Sequence, residues 1–110
     1  MRDLSLGGAN NYHWVIYDIP ASTTSLPAAV PAQAAPPSPA GAKQTYWSFS
    51  NTYSYQGPCP PNEHTYEFTV YALPTATAAV PANTTNPATA AAVITAAATS
   101  SAKLAGKYKQ

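Results

Sequence analysis

The sequence predicts an all-β domain with one Ala-rich helix near its C-terminal end. Two aromatic and β-branched runs, Asn11 to Ile19 and Thr65 to Leu73, carry the strand prediction. The Asn86-Pro87 start of an alanine-rich stretch carries the helix prediction, since asparagine caps well and proline suits the first helical position. Composition agrees by exclusion. Charged residues make up 8% of 110, against ~25% for a typical soluble domain, and the net charge is +1. A coiled coil, a long bundle and a nucleic-acid binder working by bulk charge are excluded. An aromatic content of 11% argues against a solvated, disordered chain. A chain of this length holds one domain and can bury roughly two-thirds of its unfolded surface.

In Asn11 to Ile19, alternation puts His13, Val15, Tyr17 and Ile19 on one face and Tyr12, Trp14, Ile16 and Asp18 on the other. Both faces are mostly apolar, which predicts a central strand covered on two sides. From Leu26 to Lys43 proline is so frequent that neither a ladder strand nor a helix interior can form. Residues 27–43 read as a Pro/Ala-rich surface excursion within a single domain spanning 1–110, because neither flank is long enough to fold alone. The aromatic segment Thr45 to Phe49 and a loop from Asn51 to Pro61 follow.

Thr65 to Leu73 is the clearest strand, with Tyr66, Phe68, Val70 and Ala72 expected on an inward apolar face shared with His64. In the helix, Ala90, Val93, Ile94 and Ala97 fall on one stripe. Lys103 to Gln110 alternates again and predicts a last strand, with Lys103, Lys107 and Lys109 on its outer face. No apolar run approaches the ~18 residues of a membrane span, and the start lacks a signal-peptide layout.

Chemistry concentrates in two places: His13-Trp14, and His64-Thr65-Tyr66 preceded by Gly57-Pro58-Cys59-Pro60-Pro61. A proline loop between two histidine-bearing strands can wall a small pocket in which imidazoles and a tyrosine hydroxyl donate to an anion. Taken singly, either histidine reads as readily as a packed core or surface residue. Cys59 cannot form an internal disulfide and reads as a loop thiol packed among prolines, not a nucleophile. No G-x-S-x-G elbow supports a triad of Ser5, Asp3 and His13. Two histidines and an aspartate also match a facial metal site, a minority reading. The sequon Asn83-Thr84-Thr85 is a common chance match, and the aromatics from Tyr46 to Tyr55 lack the interleaved bases of a nucleic-acid platform.

Read in order, YHWVIYDIPA, LP-x-x-VPA, YQGPCPP, H-x-Y-x-FTVYAL and a helix leading into KLAGKY resemble the phosphatidylethanolamine-binding protein family, which includes the Raf kinase inhibitor proteins. The resemblance, closest to bacterial-type members, runs from about Met1 to Tyr108. It implies an antiparallel, Greek-key-like β-sandwich with a small end pocket for phosphate-like anions or phospholipid headgroups such as phosphoethanolamine. His13 matches the family's His-Trp histidine, Gly57, Pro58 and Pro60 its glycine-proline loop, and His64 and Tyr66 its H-x-Y pair. Asp3 stands for the first aspartate of the family's Asp-Pro-Asp motif and is expected to orient a histidine or engage a cationic headgroup. Leu4 and Ser5 replace the other two positions. Family members carry several strands before that motif, so the resemblance implies an N-terminally incomplete sandwich whose exposed sheet edges favour a homodimer. The expectation is a ligand-binding protein that is not an enzyme, needs no cofactor or metal, and binds no nucleic acid. The alternative is a protein-interaction module inhibiting a protease or kinase. Low charge with abundant Ala, Thr and Pro favours a periplasmic or secreted location over the cytoplasm.

Overall fold

A computed structural model describes residues 1–7 and 11–110. Its elements are β1 (Arg2–Asp3), β2 (Ile16–Tyr17), β3 (Lys43–Gln44), β4 (His64–Ala72), α1 (Pro87–Ala97) and β5 (Ser100–Tyr108). The regular structure is therefore mostly β, with one short helix. One antiparallel sheet has the order β1-β4-β5, and a second pairs β2 with β3.

The long predicted strand Asn11–Ile19 is the main correction. Only Ile16 and Tyr17 join a sheet, against Gln44 and Lys43, while Tyr12 makes an isolated bridge to Arg2. The segment divides its backbone groups between two short partners. His13 and Trp14 donate to the Met1 carbonyl at 3.0 and 3.3 Å, and the Met1 ammonium donates back to the Trp14 carbonyl at 2.7 Å. Asp18 then turns into left-handed backbone, φ 57°, and ends the run. Alternation alone does not reveal that a strand changes partners halfway.

The proline-rich stretch forms no regular element until Lys43, where it joins β3. Gln44 anchors it and is almost fully buried. Its Oε1 accepts from Trp14 Nε1 at 2.6 Å, and its Nε2 donates to the carbonyls of Pro31, Gln33 and Tyr53 at 2.8, 2.9 and 3.3 Å. One amide thus supplies the hydrogen-bonding partners that a proline-rich chain cannot supply itself.

β4 lies one residue from its predicted place at each end. α1 begins with Asn86 Oδ1 accepting from the Ala88 amide at 2.9 Å, as Asn-Pro predicts. Ala90, Ala91 and Ile94 bury against Val15, with Tyr12, Tyr17, Tyr71 and Leu73 around them. Ala97, expected on that stripe, is exposed. Because α1 and Val15 lie with Tyr71, the side of β4 that packs is the one carrying Glu67, Thr69 and Tyr71. The predicted inward face is buried only at Tyr66; Phe68 is 39% and Val70 71% exposed. β5 begins earlier than expected, at Ser100, and presents Leu104 and Tyr108 opposite Phe68 and His64 on that same uncovered face. No described helix is long and apolar enough to cross a membrane.

Candidate functional site

The register of β1 against β4 builds the site. Asp3 pairs with Tyr66 and Arg2 with Glu67, so the aspartate arrives beside the start of β4. Its carboxylate is fully buried, and Oδ2 lies 2.6 Å from His64 Nδ1 while Oδ1 accepts the Ser5 amide at 2.8 Å. Burial opposes the charge, but the bonds from His64 and Ser5 and the neighbouring Tyr66 hydroxyl outweigh it and hold Asp3 below the usual aspartate range. A carboxylate only accepts, so His64 Nδ1 carries the proton and Nε2 is the nitrogen left to a ligand. Asp3 therefore orients a histidine. Both of its oxygens are engaged and it has no exposure.

Ser5, a departure from the family's aspartate, has a definite task. Its Oγ accepts the Thr65 amide at 3.0 Å while Leu4 donates to the Thr65 carbonyl at 2.8 Å. Both substituted positions thus fasten β1 to β4.

His13 reaches the cluster from the chain before β2. Its ring meets Tyr66 edge-on at 5.4 Å and stacks on Trp47 at 5.7 Å. Burial pushes its pKa below the ordinary histidine value, against the opposing pull of the Gln56 carbonyl and Asp3, and its buried Nδ1 has no hydrogen-bond partner. An unpartnered buried nitrogen costs free energy unless a ligand or water meets it. Tyr66 is nearly buried, with its ring 6.3 Å from that of His64. Burial and the adjacent Asp3 charge raise its hydroxyl to about 12, so it remains a proton donor throughout the physiological range.

The Gly57–Pro60 loop adjoins this cluster through the Gln56 carbonyl beside His13. Pro60 is buried, Pro58 half-buried and Gly57 exposed. Gly57 is not in left-handed backbone, and an added Cβ would meet only Tyr55 at 3.9 Å. Gln110 ties the loop to the end of the chain: its amide donates to the Pro60 carbonyl at 3.2 Å and its Oε1 accepts from Cys59 Sγ at 2.6 Å. Gln110, Gln56 and Gln44 were not identified from sequence, because a lone glutamine carries no motif.

Asp3, His13, His64 and Tyr66 are therefore brought together at one end of β4, with the proline loop alongside. Two cavities of about 590 and 330 Å³ lie elsewhere, lined by neither histidine nor by Tyr66. Among the described residues, no three His, Cys, Asp or Glu side chains form a group that could hold a metal.

Comparison with known proteins agrees with the motifs. A stretch of 64 residues is 45% identical to a UPF0098 protein of Methanothermobacter thermautotrophicus, covering 57% of this chain and 40% of that protein. Another such protein, from Aquifex aeolicus, is 42% identical over 64 residues, 56% of this chain and 35% of its own. The match thus spans less than half the length of either curated relative. No solved structure matches the chain. The family described as phosphatidylethanolamine-binding protein matches residues 3–109. With nearly its whole length inside that match, the chain belongs to the phosphatidylethanolamine-binding protein family.

Proposed function

We propose that this protein binds phosphate-like anions, free or as phospholipid headgroups, at the cluster of Asp3, His13, His64 and Tyr66, and that it does so without catalysis. The observation that carries the reading is the 2.6 Å bond between buried Asp3 and His64 Nδ1, in a chain of this family. That bond fixes the ring and directs Nε2 to a ligand. When His64 is neutral, Nε2 accepts, and it can receive the proton of a monoprotonated phosphate. When His64 is imidazolium, Nε2 donates to any phosphate oxygen. His13 adds an unpartnered nitrogen and Tyr66 a hydroxyl, while Gly57, Pro58 and Pro60 shape the adjoining wall. The wider architecture belonging to this reading is a single domain of Greek-key-like β-sandwich form.

Titration with inorganic phosphate and with phosphoethanolamine, followed by NMR of the histidine rings, tests it. The expected result is a saturable shift at His13 and His64 that disappears when both are replaced by alanine. Rings that do not shift, or binding that survives the double replacement, would overturn the proposal.

A further inference from the structure

The smaller cavity, about 330 Å³, lies between the chain that follows β3 and the start of α1. Trp47 and Thr52 pair through both backbone groups, at 2.8 and 3.4 Å, and close a turn over Ser48 to Asn51. Asn51 sits in left-handed backbone, φ 51°, and its Oδ1 accepts from the Tyr46 hydroxyl at 2.8 Å. The turn presents Tyr46, Trp47 and Phe49 to the cavity, and Tyr12 adds a fourth ring. Phe49 is 75% exposed while its ring packs on Trp47 at 5.2 Å, so these rings form a shelf at an opening, not a core. Trp47 also stacks on His13, which does not line the cavity, so the indole stands between this cavity and the histidine cluster.

We propose that this cavity binds a neutral pyranose sugar, stacked on the Trp47 and Phe49 rings and hydrogen-bonded to Ser48, Thr85 and Asn86. The site is separate from the anion site and does not rest on it. Its lining selects by charge. Among the described residues it holds no Asp, Glu, Lys, Arg or His, and the positive end of α1 opposes a cation. An anion finds no donor from the helix either. Pro87 has no N–H, Asn86 Oδ1 takes the Ala88 amide at 2.9 Å, and the Asn86 carbonyl takes those of Thr89 and Ala90 at 3.1 and 3.3 Å. A purely apolar ligand would strip water from the Ser48 and Thr85 hydroxyls and the Asn86 amide nitrogen, which have no partner among the described residues. A sugar ring meets each condition. Its C–H face lies on an electron-rich aromatic face, and its hydroxyls exchange hydrogen bonds with those three side chains. The volume, at the low end of the roughly 300–1,000 Å³ of ligand pockets, is that of a small ligand.

Methyl glycosides of glucose, galactose, mannose and N-acetylglucosamine are suitable probes, titrated to millimolar concentration and followed by NMR. The chain has two tryptophans, and Trp14 Nε1 is bonded to Gln44, so the Trp14 indole resonance serves as the control. At least one glycoside is expected to shift the Trp47 indole saturably, leave Trp14 unmoved, and receive saturation transfer mainly at the C–H protons of one ring face. Phe49→Ala, at an exposed position, weakens that binding by about fivefold or more, and Ser48→Ala by about threefold. No saturable shift at Trp47 with any of the four glycosides would overturn the proposal, as would undiminished binding in both variants. An equal response to tetramethylammonium or to benzyl alcohol would also overturn it, showing a cation cage or a plain apolar cleft.

Discussion

The two halves of β4 share a strand and little else. From His64 to Glu67 the side chains and backbone are engaged on several sides: Asp3 holds His64, Ser5 and Leu4 hold Thr65, and Glu67 meets Arg2 at 3.0 Å and Lys103 at 3.5 Å. From Phe68 to Ala72 one face is exposed and the edge toward β1 is open. The contrast shows where this chain invests in fixed geometry. Buried, hydrogen-bonded ionisable groups persist only where the surrounding structure holds them, and that half carries the candidate anion site. The other half leaves apolar area exposed at Phe68 and Val70 and is paired, among the described residues, only with β5.

Substitutions break that contrast in graded steps. Asp3→Ala removes the acceptor of both His64 Nδ1 and the Ser5 amide in a buried setting, and is expected to cost about 3 kcal/mol by urea unfolding and to abolish phosphate binding. Gln44→Ala leaves Trp14 Nε1 without its acceptor and releases the proline-rich excursion. The expected loss is about 2 kcal/mol, with faster proteolysis between residues 27 and 43. Val70→Thr, on the loose half and 71% exposed, should change stability by less than about 0.5 kcal/mol. If Val70→Thr costs as much as Asp3→Ala, the two halves do not differ as described.

Acid sharpens the same comparison. The folded pKa of His13 lies below its ordinary value of 6.5, so the folded state binds that proton less readily than the unfolded one. Stability from this group is present above 6.5 and is lost as pH falls from 6.5 toward the lower folded value. Asp3 adds a second loss at more acid pH: its depressed pKa stabilises the fold above 3.8, and that contribution disappears as pH falls through the folded value. Unfolding midpoints measured across pH should therefore decline in an upper stage, shared by His13 and the Met1 ammonium, and a lower one from Asp3, and His13→Gln should shrink the upper stage and leave the lower unchanged. The Met1 ammonium, lowered to about 6 by burial and by Arg2, titrates in the same window, so residue-specific NMR is needed to assign the upper step.

Much of the site was legible in the sequence, because its parts are short motifs on local structure. H-x-Y places two side chains on one face of a strand, and His-Trp precedes another. Asn86-Pro87 marked the helix start for equally local reasons. What alternation could not show was which side of β4 is inward. That depends on α1 and Val15 arriving over Tyr71, a long-range event, so Phe68 and Val70 lie outside although their face is the more apolar. The same limit hid the break in Asn11–Ile19, where Met1 and Gln44 compete for successive backbone groups. Nor does Ser5, standing where the motif has an aspartate, announce from sequence that its hydroxyl accepts from the Thr65 amide.

The central claim is that His13 and His64 beside Asp3 form an anion site, and that protonation of His13 strengthens it. Sulfate tests it most directly, because its charge does not change between pH 5 and 8. Its affinity, measured by calorimetry, is predicted to rise, by up to about tenfold per unit, as pH falls from 6.5 toward the lowered pKa of His13, and to be lost in His64→Ala, which removes the ring held by Asp3. Sulfate affinity that is flat across this range, or retained in His64→Ala, would contradict the account.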